Sequence, residues 1–207
     1  LFVSQISISQ WQNDLRLTNN TSKSWIAAGN VRSIAVSGNT IHVVWQDDKD
    51  GNWEIYYLRS PDNGESWGSE TRLTNNSSSS EYPSVCSDGL FVHIVWQDNR
   101  DGNSEIYYKK SVNGGLNWGS DTRMTFNSSI SFHPSVAASN GYVNMVWQDN
   151  STGDYEIYSY YSTNNGQNWS SFQRLSNNTF LSEYPCIGRN ANYVYCVWVD
   201  NRDGNKE

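Results

Sequence analysis

Apolar and polar residues alternate along several short segments of this chain, with the two-residue period that is typical of β-strands. Ile41, Val43 and Trp45 share one face of such a segment, and the same alternation returns at residues 92–96. Clusters of Asp, Asn and Gly follow these segments, as in Asp98–Asn103. They favour hairpin turns because these residues tolerate left-handed or locally hydrogen-bonded backbone. The pattern predicts an all-β protein of short antiparallel strands.

The alternating segments belong to one unit that occurs four times. Its tryptophan recurs at intervals of 51 residues, as Trp45, Trp96, Trp147 and Trp198. Each unit predicts four strands: the segment that follows Tyr82-Pro83 in the second unit, a Val-Trp strand, a Glu-Ile-Tyr strand and an Arg-Leu-Thr strand. Four antiparallel strands in roughly 40–50 residues are the arrangement of a β-propeller blade.

Charged residues of the unit follow the repeat, which favours a structural role for them. Glu54 and Arg72 lie symmetrically about the turn at Asn63, so we expect them to pair across neighbouring strands. Glu105 and Arg123 are placed in the same way in the second unit.

The loop between the third and fourth strands carries the motif Ser-x-Asp-x-Gly-x-x-Trp, with Asn in place of Asp in the second and third units. The Asp or Asn side chain can accept backbone N–H groups across the turn, and the glycine supplies a positive φ. This motif resembles the Asp box of BNR-repeat β-propellers, which include sialidases, related lectins and sortilin-type receptors, and the resemblance covers nearly the whole chain. Its residues, which we interpret as structural, are Ser60, Asp62, Gly64, Trp67, Ser111, Asn113, Gly115, Trp118, Ser162, Asn164, Gly166 and Trp169.

The resemblance implies a propeller fold and raises the possibility of glycoside hydrolysis. Sialidases of this kind use a Tyr nucleophile assisted by Glu, an Asp acid/base and three arginines that bind the substrate carboxylate. The Arg-Ile-Pro motif of the family is absent here, and Arg16, Arg72, Arg123 and Arg174 occupy equivalent positions of the repeat. Because one active site cannot be repeated around a ring, we assign no catalytic residue and predict a non-catalytic binding or assembly module. The alternative is a fragment of a sialidase-type glycoside hydrolase, acting as an exo-sialidase.

Four aromatic residues break the repeat and are candidate ligand-binding residues: Trp25, Trp53, Phe132 and Tyr155. Loops of a propeller gather at its two faces, where such rings can stack on sugars or on peptide side chains. Covering a neighbouring blade is the other interpretation of each ring. The predicted partner is a glycan or an extracellular protein.

Charge and hydropathy restrict the partners and the location of the protein. The chain has 21 acidic and 14 basic side chains and a net charge of −7, which argues against binding to a nucleic-acid backbone. No apolar run approaches the roughly 20 residues of a membrane-spanning helix. Sequons at Asn76, Asn127 and Asn177 are candidate glycosylation sites, and they favour a secreted or cell-surface glycoprotein.

Acidic turns such as Asp98–Asn103 bring together oxygen atoms that could hold Ca²⁺. They lack the EF-hand spacing and its bidentate glutamate, so we interpret them as solvated turns and predict no metal site and no cofactor. His42 and His93 occupy a strand position that Asn144 takes in the third unit, which favours ordinary polar strand residues. His133 receives no predicted role.

The three cysteines allow one bridge. Cys186 and Cys196 flank a turn near Ala191 symmetrically, so we expect them opposite each other on adjacent strands, as disulfide candidates. Cys86 is predicted to be a free, buried thiol.

The two ends of the chain look complementary in the repeat. Glu207 is equivalent to Glu54, so the fourth unit stops where its third strand should begin, and the segment 1–20 resembles the missing part. We therefore predict one domain over residues 1–207, in which 1–20 completes the blade begun by 181–207, with Arg16 near Glu207. Closure within the chain gives a four-bladed ring, and exchange of the strand gives a homo-oligomer or filament. A piece of a larger propeller of about six blades is the alternative.

Overall fold

The computed structural model describes residues 1–4, 6–7, 10–11, 14–26 and 32–206, and within these ranges it contains β-strands and no helix. Its first blade-forming sheet begins at residue 24. The strands are β1 (Phe2–Val3), β2 (Ile6–Ser7), β3 (Gln10–Trp11), β4 (Leu15–Arg16), β5 (Ser24–Trp25), β6 (Ile34–Ser37), β7 (Thr40–Asp47), β8 (Glu54–Ser60), β9 (Thr71–Arg72), β10 (Ser80–Asp88), β11 (Phe91–Asp98), β12 (Glu105–Ser111), β13 (Thr122–Arg123), β14 (Ser131–Ser139), β15 (Tyr142–Asp149), β16 (Glu156–Ser162), β17 (Gln173–Arg174), β18 (Ser182–Arg189) and β19 (Val194–Asp200).

The strands form antiparallel sheets that follow the sequence repeat. Strands β10 to β13 and β14 to β17 make two four-stranded sheets in chain order, and β7, β8 and β9 make a third in which β5 and β6 both pair with β7. Strands β18 and β19 form a two-stranded sheet. We call these sheets blades 1 (β5 to β9), 2 (β10 to β13), 3 (β14 to β17) and 4 (β18 and β19). The all-β propeller architecture predicted from the repeat is confirmed.

The hydrophobic core lies between successive blades. One cluster combines Val44 and Tyr57 of blade 1 with Ile94 and Trp96 of blade 2, and similar clusters join blades 2 and 3 and blades 3 and 4. The first strands of the blades run side by side, since β10 contacts β6 and β14, and β14 contacts β18. Each sheet therefore buries its faces against its neighbours, as in propellers.

In blade 1 the chain has five more residues than in the other blades between the two positions at which its first segment, β5 and β6, pairs with the second strand. Ser24 pairs with Asp47 as Ser80 pairs with Asp98, whereas Ile34 pairs with Val43 as Val85 pairs with Ile94. Ten positions separate Ser24 from Ile34, against five between Ser80 and Val85. This insertion explains why the first Arg-Leu-Thr segment precedes the next by 56 residues instead of 51.

The N-terminal strands have the register of the outer half of a blade. Phe2 pairs with Arg16 as Tyr56 pairs with Arg72, and the amide of Leu17 donates to the carbonyl of Leu1 at 2.8 Å. Leu1 thus takes the position of Ile55, two residues away from the alignment with Tyr57 that the sequence indicates, because this hairpin is two residues shorter.

The closure of the chain stays a prediction. In the ranges that the structure describes, no strand pairing joins residues 1–26 to 181–206, and Glu207 lies outside them. Arg16 donates instead to the carbonyl of Thr18 at 2.6 Å, as Arg72 does to Thr74.

The predicted ion pairs between glutamate and arginine are present in three blades. Arg72 contacts Glu54 at 2.9 Å, Arg123 contacts Glu105 at 2.9 Å, and Arg174 repeats the contact in blade 3. The glutamates are fully buried, so each of these pairs is part of its blade's interior.

The cysteine prediction needs correction. The turn between β18 and β19 contains four residues, 190–193, so Cys186 lies opposite Val197 and Cys196 lies opposite Ile187. The two thiols are one register position apart and point to opposite faces of the sheet. All three cysteines are free, and Cys86 is buried as predicted.

The Asp-box turns are built from the side chains that the motif specifies. In blade 1, Ser60 Oγ accepts from the amide of Gly64 at 2.8 Å, and Asp62 Oδ1 accepts from the amide of Ser66 at 2.8 Å. Asn113 and Asn164 accept the equivalent bonds through their amide oxygens at 2.9 Å. Asp and Asn are interchangeable here because the turn requires only an acceptor.

Each of two Asp boxes also receives a tyrosine from the preceding blade. The hydroxyl of Tyr57 lies 1.9 Å from the point where a Cβ on Gly115 would be, and its ring packs edge-on against Trp118 at 4.9 Å. Tyr108 contacts Gly166 and Trp169 in the same way. The glycine is therefore required both for its backbone angle and for space.

Two histidines orient these tyrosines, which corrects their interpretation as ordinary polar strand residues. His42 Nδ1 is 2.7 Å from the hydroxyl of Tyr57, and His93 Nδ1 is 2.7 Å from that of Tyr108. Both imidazoles are fully buried. In blade 3 the corresponding pair is Asn144 and Ser159, and Arg189 of blade 4 donates to Asn144 at 2.7 Å.

We expect Gly115→Ala to destabilise the protein more than Gly102→Ala. Both glycines have positive φ, 82° and 99°, but a Cβ on Gly102 meets nothing within 4 Å. Gly102→Ala should therefore lower the free energy of unfolding by about 1–2 kcal/mol, and Gly115→Ala by a further ~1–3 kcal/mol for the overlap with Tyr57. Urea denaturation of both variants measures the difference, and equal losses would contradict the contact.

We also expect stability to fall as the pH decreases below 6.5. Burial lowers the pKa of His42 to about 4 and that of His93 to about 3 from an ordinary value of 6.5. Below pH 6.5 the two histidines become protonated in the unfolded chain and stay neutral in the folded chain. Their contribution to stability is therefore complete above pH 6.5 and is lost as the pH falls to about 4 for His42 and about 3 for His93. Urea denaturation at several pH values gives the slope of the free energy of unfolding against pH. This slope should be smaller for His93→Asn than for the unmodified protein, by the equivalent of about one proton. An unchanged slope would exclude His93 as a source.

Candidate functional site

Three aromatic residues from successive blades form a row beside the first strands. Tyr82, His133 and Tyr184 each precede a proline, and their ring centroids are 4.9 Å apart for Tyr82 and His133 and 4.8 Å apart for His133 and Tyr184. We call this set the axial row. Each residue occupies a first strand at a β-bulge, so its ring leaves the regular alternation of the strand.

Their backbone is in the left-handed region, with φ of 53°, 50° and 54° for Tyr82, His133 and Tyr184. This region is unfavourable for bulky residues and persists only where the surroundings enforce it. Here the preceding blade does so, because Gln46 Oε1 accepts from the amide of Tyr82 at 2.7 Å and Gln148 Oε1 from that of Tyr184 at 2.8 Å. Gln97 makes the longer equivalent contact with His133 at 3.3 Å.

Next to the axial row, each blade has one flanking pair, formed by a first-strand residue and a residue of the loop between its second and third strands. The pairs are Trp25 with Trp53, Glu81 with Ser104, Phe132 with Tyr155, and Glu183 with Lys206. Two of them are aromatic contacts, at 5.6 Å between the tryptophan centroids and 6.3 Å between Phe132 and Tyr155. Aromatic and acidic pairs therefore alternate from blade 1 to blade 4.

The structure thus brings the four predicted ligand-binding aromatics together as two pairs at equivalent positions. The Asp boxes follow the C-terminal ends of β8, β12 and β16, whereas the flanking loops precede the N-terminal ends of these strands. Seven residues of strand place the two features roughly 20 Å apart.

The acidic positions differ in their partners. Glu183 receives an ion pair from Lys206 at 2.8 Å, but the side chain of Glu81 makes no hydrogen bond or ion pair among the described residues. Burial raises the pKa of Glu81. Burial also lowers the pKa of His133, against the opposing effect of Glu183, so the imidazole at the centre of the row is neutral at pH 7.

A cavity of about 440 Å³ opens beside Glu81 and Phe132. Gln97, Asn99 and Ser104 contribute polar groups to its wall. The cavity therefore combines an aromatic ring, an unpaired carboxylate and neutral amides, a set that suits a polyhydroxylated ligand.

Arginines of the repeat are engaged elsewhere. Besides the pairs with glutamate, Arg100 contacts Asp98 at 2.6 Å and Arg202 contacts Asp200 at 2.7 Å. In the described ranges no arginine forms an ion pair with Glu81 or Glu183.

Acidic turns show no set of ligands for Ca²⁺. Asp98 accepts from Arg100 and from Trp96 Nε1, so its oxygens are occupied. Among the residues that the structure describes, no group of three or more His, Cys, Asp or Glu is arranged to hold a metal ion. Calcium binding stays untested. The same ranges contain no helix that could cross a membrane.

At two of the predicted glycosylation sites, the asparagine side chain is engaged in a hydrogen bond within the protein. Asn76 Nδ2 donates to Ser80 Oγ at 3.3 Å, and Asn127 Nδ2 donates to Asp149 at 2.9 Å. A glycan on either nitrogen would break these bonds, whereas Asn177 is exposed. Asn177 remains the sequon that fits the folded chain best.

The sequence pattern alone did not reveal the axial row and its glutamines. The signal was the aromatic-Pro pair at a constant interval of 51 residues, at Tyr82, His133 and Tyr184. Its meaning depends on the left-handed backbone and on a contact with another blade, which a single-unit pattern does not reveal.

We expect Gln46→Leu to lower the free energy of unfolding by about 1–3 kcal/mol, because it leaves the amide of Tyr82 without its acceptor. Gln46→Glu keeps an acceptor oxygen and serves as the matched control. Urea denaturation measures both, and a loss in the control as large as that in Gln46→Leu would show that the hydrogen bond is not the cause.

No protein-family model matches this sequence, and no curated protein matches it. Solved structures do match its fold. Trypanosoma rangeli sialidase is 16% identical, with a TM-score of 0.59 over 84% of this chain and 34% of the sialidase. A NanB sialidase mutant of Streptococcus pneumoniae is 13% identical, with a TM-score of 0.59 over 92% of this chain and 30% of the other.

The GH93 α-L-arabinofuranosidase of Fusarium graminearum, in complex with arabinobiose, is 12% identical, with a TM-score of 0.61 over 87% of this chain and 62% of the enzyme. The chain thus spans about a third of the length of the sialidases it matches. At these identities the likeness concerns the fold. The chain has the β-propeller fold of the sialidases, which confirms the resemblance to sialidase-like Asp-box propellers.

Proposed function

We propose that this chain is a non-catalytic, extracellular binding module whose axial row and flanking pairs recognise a neutral glycan. The observation that carries the proposal is a connected series of five aromatic or imidazole rings, one of which, Phe132, lines a polar cavity: Tyr82, His133, Tyr184, Phe132 and Tyr155. Rings held at fixed spacing stack on the apolar faces of sugars, and amides next to them hydrogen-bond to hydroxyl groups.

The charge of the surface supports a neutral ligand. Glu81 and Glu183 both lie in flanking pairs. In the described ranges, the arginines that belong to the repeat pair with Asp98, Asp200 and the buried glutamates. A sugar carboxylate beside the cavity would meet the unpaired carboxylate of Glu81, whereas Glu183 is already paired with Lys206. Such a like-charge contact is unfavourable.

An extracellular location agrees with the fold and with the exposed sequon at Asn177, and it is part of the proposal. The chain spans only part of the length of the sialidases, so any activity that requires the remaining length of such a protein also belongs to this proposal. The second candidate is a fragment of a sialidase-type hydrolase, which the fold likeness and the unpaired Glu81 favour.

Calorimetric titration with lactose, cellobiose, arabinobiose and maltotriose, and with sialyllactose as the acidic counterpart, tests the proposal. We expect at least one neutral sugar to bind, and Phe132→Ala and Tyr155→Ala to weaken it roughly tenfold each. Tyr193→Ala is the matched control, because Tyr193 is exposed in the turn at the opposite end of blade 4.

Binding of sialyllactose more tightly than lactose, or no binding of any neutral sugar, would contradict a neutral-glycan site. Release of fluorophore from a fluorogenic sialoside, lost in Glu81→Gln, would establish the hydrolase alternative instead.

A further inference from the structure

Blade 3 contains a pocket that its sister blades fill with their own side chains. The pocket has a volume of about 400 Å³ and is walled by Trp147, Tyr158, Tyr160, Phe172 and Phe126, with Asp149 among its polar groups. It is separate from the axial row and does not depend on the proposed function.

In blade 2 a cation occupies the equivalent place. The guanidinium of Arg100 lies 4.4 Å from the centroid of Tyr107, and it contacts Asp98 at 2.6 Å and Asp121 at 2.8 Å. The aromatic ring, the buried Asp98 and the second carboxylate together hold the cation.

Blades 1 and 4 place a cation at the same position of the repeat. Lys49 Nζ lies 3.8 Å from the centroid of Tyr56 and pairs with Glu70. Arg202 contacts Asp200 through Nε at 2.9 Å and through Nη2 at 2.7 Å. Three blades out of four therefore seat a basic side chain here.

Blade 3 lacks the cation but keeps the tyrosine and the buried aspartate that contact it in blade 2. Ser151 replaces the basic residue, and Phe172 replaces the acid that Glu70 and Asp121 provide. Tyr158 corresponds to Tyr107 and Asp149 to Asp98, and Trp147 and Tyr160 stack at 5.0 Å beside them. In blade 2 the hydroxyl of Tyr107 donates to Asp101, and in blade 3 Thr152 takes the place of this aspartate.

We propose that this pocket binds the guanidinium of an arginine side chain that a partner polypeptide presents. The sister blades supply the argument for the occupant, because Arg100 and Arg202 engage the carboxylates that correspond to Asp149. A guanidinium stacks on aromatic rings and donates to a carboxylate at the same time, and it is more weakly hydrated than an ammonium. The net charge of −7 attracts a basic partner.

The replacement of an acid by Phe172 strengthens the aromatic contribution. Phe172 is 61% exposed and Phe126 is 73% exposed, so two rings rim the pocket, while Trp147 and Tyr158 are buried at its base. An incoming side chain would cover these exposed rings and lose its own contact with water.

Titration followed by NMR tests the proposal with Nα-acetyl-arginine N-methylamide as the probe. The matched control is Nα-acetyl-citrulline N-methylamide, which has nearly the same shape and no charge. We expect the arginine compound to bind at least ~10-fold more tightly than the citrulline compound. Equal affinity would show an uncharged apolar pocket, and the absence of binding of both compounds would also overturn the proposal.

Two substitutions transfer the site between blades. Ser151→Arg copies blade 2 and should fill the pocket, abolishing binding of the arginine compound without lowering the melting temperature. Arg100→Ser copies blade 3 and should create a second site, with signals shifting near Tyr107. Blade 3 shows that this position tolerates serine. The proposed site would be contradicted if the arginine compound still bound to Ser151→Arg. It would also be contradicted if folded Arg100→Ser showed no second binding site.

Discussion

Contact between successive blades is the constraint on which the rest of this structure depends. Three of the buried clusters join residues of two neighbouring sheets, and the fourth, around Trp45 of blade 1, packs against Leu1 and Leu17 of the N-terminal segment. The tightest part of this contact is Tyr57 of blade 1 against Gly115 of blade 2, repeated by Tyr108 and Gly166. A repeat unit of this kind gains its stability from its neighbours. The Asp box is therefore a docking element as well as a turn.

The same dependence on neighbours forms the axial row. Gln46 and Gln148 reach from one blade to the amides of Tyr82 and Tyr184 in the next, and these bonds hold an unfavourable backbone conformation. At the flanking positions only the backbone makes such a bond, since the carbonyls of Trp53, Ser104 and Tyr155 accept from the next blade at 2.8–2.9 Å. Their side chains differ in every blade. The inter-blade contacts of the Asp boxes and the flanking side chains thus occupy opposite ends of the same strands, so the flanking side chains can vary while the Asp-box contacts stay the same.

The sequence predicted the strands, the four-stranded unit, the Glu-Arg pairs and the Asp-box turns, because each of these depends on period-two alternation or on residues close in sequence. It did not predict the buried pairs of His42 with Tyr57 and His93 with Tyr108, since a histidine opposite the core valines looks exposed when only one sheet is considered. The register of Cys186 and Cys196 was wrong by one residue because the length of their turn was not known. Of the candidate site, the pairing of Trp25 with Trp53 and of Phe132 with Tyr155 required the fold, although the residues themselves were identified from the broken repeat.

The substitution of Asn144 and Ser159 for the histidine and tyrosine of blades 1 and 2 has a consequence for folding cooperativity. Blades 1 to 3 are coupled by the aromatic contact at each Asp box. Between blades 3 and 4 the hydrogen bond from Arg189 to Asn144 and a smaller cluster around Ile187 take the place of that contact, while the bond from the amide of Tyr184 to Gln148 is kept. Subunits of a linear array with unequal interfaces open at the weakest one. We therefore expect blade 4 to be the first cooperative unit to exchange its amide hydrogens with solvent, and blade 2, which has the aromatic contact on both sides, to exchange last.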